Sequence, residues 1–201
     1  GKLMTTQNPI KAFLLNKEKS PDGIYSVRSA NEWVIRATVL HAAELQIPVL
    51  LEATANQVNQ FGGYTGMTPT DYAALVMRIC SEEQVDGLNI YLGGDHLGPL
   101  PWTDFPEEIA LEYAADMVRQ YVCAGFTKIH LDTSMRLACD RADLPLKPEV
   151  TAERCVKLAK SVYEAYDERK SKIPNALRPV LVIGSEVPVP GGSRTQDDSI
   201  T

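Results

Sequence analysis

The sequence predicts an α/β fold built on a parallel sheet, on three observations. Short apolar runs of strand length alternate with longer stretches of helical period, the βαβ pattern of parallel strands. The helical stretches open on start signals: Thr68-Pro69, Pro106 and Pro148. One strand-like run, Thr127–Asp132, alternates Lys128, His130 and Asp132 with Ile129 and Leu131, so its pleat has a polar and an apolar face. A strand between two helical layers is usually apolar on both faces, whereas a polar inner face under a helix-covered outer face suits a barrel lumen. These features favour a TIM (β/α)8 barrel over an open doubly wound sheet, and no GxGxxG or GxxxxGK[ST] follows any strand to support a nucleotide fold.

Taken in order, the strand candidates are Gly23–Val27, Pro48–Ala53, Leu88–Leu92, Thr127–Asp132 and Val180–Ser185. Between the second and third, Thr68, Pro69 and Asp71 form a capping-box start for a helix burying Tyr72, Leu75, Val76 and Ile79. Pro106 opens a helix that repeats Ile109, Tyr113, Met117 and Tyr121 and stops at Gly125. Pro148 opens another, with Val150, Leu158, Val162 and Ala165 on one face, fading into the charged Asp167–Lys172 stretch. About five βα units are legible where a barrel has eight and about 250 residues. The 201 residues therefore read as the first part of a longer chain: residues 23–201 the N-terminal part of a single barrel domain, residues 1–22 an N-terminal segment. Gly1 to Leu3, ahead of Met4, read as the remnant of an expression tag.

Composition narrows the partners. With 44% apolar and 23% charged residues, the sequence is that of an ordinary globular domain. A net charge of -6 without a Lys/Arg cluster excludes the electrostatic footprint of nucleic-acid or acidic-membrane binding, while a phosphorylated small molecule stays compatible. Cys80, Cys123, Cys139 and Cys155 show no CxxC spacing and read as buried reduced thiols of a cytoplasmic protein. No stretch has the length of a membrane span and no signal-peptide layout is present.

Polar residues concentrate at C-terminal strand ends, where a parallel barrel keeps its chemistry. The second strand runs into Glu52, Asn56 and Gln57 and then the glycine-rich Phe61–Gly66. The third is followed by Asp95 and His96, the fourth by Asp132 and Ser134, the fifth by Glu186. Gly62 and Gly63 are either ordinary turn formers or a loop that lets backbone amides approach a ligand. Asp132 either caps the next helix or joins the site; Glu186 either pairs with a rim lysine or joins it. His130 is expected to be a structural lumen residue and His41 a helix-surface histidine. His96 differs: it follows an acid at a strand end, between glycines that clear room around it. Adjacent strand residues point to opposite faces, so Asp95 and His96 reach one site only if the strand breaks, as Gly98-Pro99 suggests. That geometry suits His96 as a metal ligand and Asp95 as a proton-transfer group. A mouth holding Glu52, Asp95, Asp132 and Glu186 leaves unpaired acids, so a cation or polar ligand is expected.

Four blocks carry a further signal: "LLEATANQVNQFGGYTGMTP", "LGGDHLGP" with Pro101-Trp102, "YVCAGFTKIHLDTSM" and "VIGSEVPVPGG". In this order and spacing they closely resemble the tagatose-bisphosphate aldolase accessory subunit family of the GatZ/KbaZ type. The resemblance implies a TIM barrel similar to class II aldolases, in which an Asp-His pair after the third strand supplies a proton-transfer Asp and a zinc-binding His; Asp95 and His96 match that pair. Together with the strand-end positions, it gives Asp95, Glu52, Asp132 and Glu186 as catalytic candidates, Asn56, Gln57, Gly62, Gly63 and Ser134 as substrate-binding candidates, and His96 as ligand of a divalent metal, zinc. Class II aldolases take two more zinc histidines from later strands, and none follows His130 here. The implied role is that of a subunit of a D-tagatose-1,6-bisphosphate aldolase in galactitol, N-acetylgalactosamine or tagatose catabolism, acting on a phosphorylated ketose, supporting a catalytic Y-type subunit and assembling as an oligomer. The alternative it implies is a metal-dependent 4-epimerase of tagatose and fructose or their 6-phosphates. Relatives also carry the label tagatose-6-phosphate kinase, for which the sequence holds no phosphate-cradling loop with a following Lys.

Overall fold

Five parallel strands alternate with helices in the computed structural model, which describes residues 8–15 and 23–184. The strands are β1 (Tyr25–Arg28), β2 (Val49–Thr54), β3 (Ile90–Leu97), β4 (Lys128–Leu131) and β5 (Val180–Ile183); the helices are α1 (Pro9–Leu15), α2 (Glu32–Leu45), α3 (Pro69–Glu82), α4 (Glu107–Cys123) and α5 (Pro148–Lys172). The sheet order is sequential, β1-β2-β3-β4-β5, and every neighbouring pair is parallel. Right-handed crossovers in a sequential order place consecutive helices on the same side. One face of the sheet is accordingly covered and the other is left to polar side chains. Ser185, Glu186, Gly191 and Gly192 lie outside the described residues.

Local chemistry accounts for the helix starts. Asn31 accepts from the Trp33 and Val34 amides to open α2, and Thr68 and Asp71 form a reciprocal capping box with Pro69 in the first turn of α3. α4 starts after Pro106 with Glu107 and Glu108 in its first turn; α5 carries Arg169, Lys170 and Lys172 in its last, both favourable to the helix dipole. Gly125, at φ +98, supplies the left-handed residue that ends α4.

The core lies between the sheet and α2 to α5. Leu51 and Ala53 of β2, Leu97 of β3, and Ile129 and Leu131 of β4 pack there with Ile35, Val76, Met117, Val118 and Leu158. Each fully buried aliphatic side chain contributes about 1.5–3 kcal/mol. Tyr113, Ile109, Leu75 and Val150, expected in the core, are only half-buried. Two buried phenols tie the core to the strand ends: Tyr72 Oη donates to Ser29 O (2.9 Å) and Tyr121 Oη to Val58 O (2.8 Å). At the opposite end, Asn8 Nδ2 donates to Thr127 O (2.8 Å) and Arg178 O (2.9 Å), clamping the starts of β4 and β5.

All four cysteines are free, but only Cys80 and Cys155 are buried; Cys123 and Cys139 are exposed, contrary to expectation. Cys123 falls on the outer face of α4 and Cys139 in the loop after β4, so neither reaches the core. No helix among the described residues is long and apolar enough to cross a membrane.

The loop between β4 and α5 is fixed by a buried guanidinium. Arg154, only 2% exposed, donates from Nε to Glu107 Oε1 (2.8 Å) and from Nη1 and Nη2 to the two Asp140 oxygens (2.8 and 2.9 Å). The forked pairing with Asp140 and the added Glu107 contact are what make burying the charge tolerable. Arg154 holds the Asp140 and Glu107 carboxyls below the ordinary carboxylate range. Their folded pKa values lie under the unfolded ones, so this contribution is present above about pH 4 and is lost as pH falls through the depressed values. Arg154→Met is expected to lower stability at pH 7 by about 1–3 kcal/mol, less than a fully enclosed pair because Glu107 stays partly solvated. Urea unfolding across acid pH checks it: the variant should lose less stability on acidification below about pH 4 than the parent.

Candidate metal centre

The site begins with an irregularity in β3. Between Gly94, which pairs with Ile129, and Leu97, which pairs with Leu131, β3 advances three residues while β4 advances two. The extra residue is a β-bulge, and His96 takes φ +50, a left-handed conformation unusual outside glycine. Gly94 and Leu97 keep facing the helices; Asp95 and His96, neighbours in sequence, both reach the polar side. Gly98 completes the turn: a Cβ there would lie 1.8 Å from Asp132 O, and Leu97 O accepts the Asp132 amide at 3.0 Å. The strand break expected at Gly98-Pro99 is this bulge, two residues earlier; β3 itself extends past Leu92 to Leu97.

Asp95 is the hub. Its Oδ2 accepts from Arg28 Nη1 (2.7 Å) and lies 3.0 Å from His96 Nδ1; its Oδ1 lies 3.0 Å from His130 Nδ1 and 3.6 Å from Lys128 Nζ. Burial alone raises the Asp95 pKa, but the hydrogen bonds from His130, Arg28 and His96 and the charge of Lys128 outweigh it and hold the carboxyl well below the usual range. Lys128 also donates to Glu52 Oε2 (2.5 Å), and Ser26 donates to Glu52 Oε1. Glu52, Gly93 and Lys128 are in register on three adjacent strands. With no side chain on Gly93, the glutamate and the lysine meet across the middle strand. An added Cβ would sit 2.9 Å from Glu52 Oε2 and 3.1 Å from both Glu52 Cγ and Leu50 Cδ1.

Asp95, His96 and His130 each offer one ligand atom, and these atoms lie within 4.8 Å of one another. A carboxylate with two imidazoles is a donor set for a divalent transition metal, zinc included. The hydrogen bonds of His130 point the same way. Its Nε2 lies 3.3 Å from Gly184 O, and its Nδ1 lies 3.0 Å from Asp95 Oδ1 and 3.3 Å from the His96 amide nitrogen. Between Nδ1 and the carboxylate stands a proton or, in its place, a cation. The residues present therefore fit a metal.

The remaining sequence candidates are placed as follows. Glu52 is buried in the Ser26–Lys128 contacts just described. Asp132, 1% exposed, accepts the Ser134 amide (2.9 Å) and hydroxyl (2.6 Å) at Oδ1, while its buried Oδ2 has no partner among the described residues. Neither Asp132 oxygen hydrogen-bonds to the Asp95 cluster among the described residues. Asn56 is exposed, and Gln57 Oε1 accepts the Thr54 amide (3.0 Å). The Gly62 and Gly63 amides donate to Asn59 O (2.8 Å) and Asn59 Oδ1 (3.1 Å), so both are spent inside their own loop. Glu186 lies outside the described residues.

Two expectations are corrected. His130 is not a bystander in the lumen, since it shares Asp95 with His96. Glu52 and Asp95 are not unpaired acids either, because Lys128 and Arg28 neutralise them from within the chain. The alternation of Lys128 and His130 in β4 was the available signal for both. Arg28 gave none, lying 67 positions from Asp95.

A family model described as D-tagatose-1,6-bisphosphate aldolase subunit GatZ/KbaZ-like matches residues 11–201. The chain belongs to this family. The GatZ/KbaZ-like chain is also similar to a solved structure, the crystal structure of a probable tagatose 6 phosphate kinase from Sinorhizobium meliloti. The identity is 44% and the TM-score 0.71, over 82% of this chain and 39% of that one. It thus spans about two-fifths of the length of that relative.

Gly93→Ala is expected to cost the GatZ/KbaZ-like chain about 1–3 kcal/mol by driving a methyl group into the Glu52–Lys128 pair. Gly23→Ala, where nothing lies within 4 Å of an added Cβ, should stay within about 0.5 kcal/mol. Urea midpoints of the two variants check the contrast.

Proposed function

We propose that this chain forms the first five βα units of a (β/α)8 barrel in a subunit of a class II D-tagatose-1,6-bisphosphate aldolase. The sequential parallel order, the one-sided helices and the polar opposite face support the barrel. The observation that carries the function is the convergence of Asp95, His96 and His130 where β3 and β4 end. A divalent cation, zinc by its affinity for this donor set, would be held by these three residues and would polarise the ketose carbonyl.

Asp95, one of the three, is also the group to take the C4 hydroxyl proton when the C3–C4 bond breaks and to return it on re-addition. To do so it must exchange at least one of its present partners for substrate, and Arg28 is the most exposed of them. Glu52 and Lys128 form the buried floor that fixes Asp95 from below. Asn56, Gln57 and Ser134 lie on loops at the same strand ends and are assigned to substrate contacts. Glu186 is assigned to the same mouth, on the family resemblance. The pathway is the catabolism of galactitol, N-acetylgalactosamine or tagatose in the cytoplasm, with a catalytic Y-type subunit as partner in an oligomer.

A second reading, 4-epimerisation of tagatose and fructose or their 6-phosphates by cleavage and re-addition to the other face, is favoured by one feature. Asp95, His96 and His130 form a cluster that could hold a metal ion beside a carboxylate, which a purely supporting subunit does not need. A kinase role has no support, since the Gly62 and Gly63 amides are engaged internally and no lysine follows them.

The test is to incubate the full-length protein with tagatose 1,6-bisphosphate and with tagatose 6-phosphate, alone and with a Y-type subunit. Triose phosphates mark an aldolase, a fructose epimer marks an epimerase, and cleavage that appears only with the partner marks a supporting subunit. In any active combination Asp95→Asn should lower the rate about 10²–10⁴-fold, and His96→Ala should also lower metal content. Unchanged metal content, rate and partner activation in both variants would reject the reading.

A further inference from the structure

We propose that Arg28 is the phosphate-binding residue of this site, and that Asp95 holds it in reserve until a cation enters the cluster. The inference rests on the cation reading of Asp95, His96 and His130. It starts from the charges: Arg28 and Lys128 balance Glu52 and Asp95, so the cluster is neutral as it stands when both imidazoles are uncharged. A divalent cation added to this half-buried pocket brings a net charge of two that nothing else in the cluster offsets. Like charges a few ångströms apart repel more strongly in a medium of reduced dielectric than in water. One positive group must leave Asp95, or an anion must arrive.

The two basic residues are not equivalent. Lys128 is 12% exposed at its side chain and bound to Glu52 at 2.5 Å, so it cannot withdraw without stranding a buried carboxylate. Arg28 ends β1 at the rim, its side chain is 54% exposed, and its polar contact among the described residues is a single Nη1 bond to Asp95 Oδ2 at 2.7 Å. Its other donors have no partner among the described residues and can meet a ligand at the mouth. Entry of a cation on Asp95 frees the guanidinium, whose planar fork matches a phosphate oxygen pair. A phosphate dianion restores neutrality. Cation and phosphate binding are then cooperative, each raising affinity for the other by the same factor.

Calorimetric titration of Mn2+ into the full-length protein, with and without millimolar inorganic phosphate, reads this directly. In the parent, phosphate should tighten Mn2+ binding at least about fivefold, the lower end of ordinary site-to-site coupling. Arg28→Met and Arg28→Gln, two neutral replacements at an exposed rim position, should bind Mn2+ more tightly than the parent without phosphate, because a competitor for Asp95 is gone. Both should lose the phosphate effect. Mn2+ binding by the parent that is indifferent to phosphate, or coupling that survives in both variants, overturns the role of Arg28 and leaves the metal centre standing. Absence of Mn2+ binding in parent and variants alike overturns the metal centre, and this proposal with it.

Discussion

The carboxylate of Asp95 organises everything at the C-terminal ends of these strands. Four side chains from three strands converge on it: Arg28 from β1, His96 from β3, Lys128 and His130 from β4. In a regular sheet His96 would face the core instead. One extra residue in β3 turns His96 to the polar side while Leu97 recovers its place among the apolar residues. The strain of a left-handed histidine, of order 1–3 kcal/mol, persists because hydrogen bonds on both sides over-determine it.

Beneath the hub, glycine does what a larger residue would prevent. Strands in a sheet are about 4.8 Å apart, so residues on β2 and β4 normally face each other across an intervening side chain. Gly93 leaves that place empty, and Glu52 and Lys128 close over it into an ion pair with Ser26 behind. The pair is almost wholly buried, so its net contribution to stability is small, and its value lies in fixing where the Lys128 ammonium stands relative to Asp95. Gly98 does the analogous work at the strand end, allowing β3 to close directly onto β4 at Asp132.

Much of this was legible in the sequence. The βα alternation, the Thr68–Asp71 capping box and the proline starts of α4 and α5 are local signals, and they placed the elements to within a few residues. The two faces of β4 were readable from alternation alone, and the Asp95-His96 pair stood out by its neighbours. What escaped depended on contacts between distant positions. The extension of β3 to Leu97 runs through Gly-Gly-Asp-His, which carries no strand propensity and is held by its neighbours β2 and β4. His130 read as structural because its partner lies 35 positions away, and Asp132, on the polar side by strict alternation, lies beyond the end of β4 and accepts from Ser134 instead.

The central claim is that the bulge brings His96 and His130 onto a single cation beside Asp95. X-ray absorption at the zinc edge of the zinc-loaded full-length protein tests it most directly. The account predicts imidazole scattering in the parent that weakens in His96→Gln and, separately, in His130→Gln. A spectrum that His130→Gln leaves unchanged would contradict it.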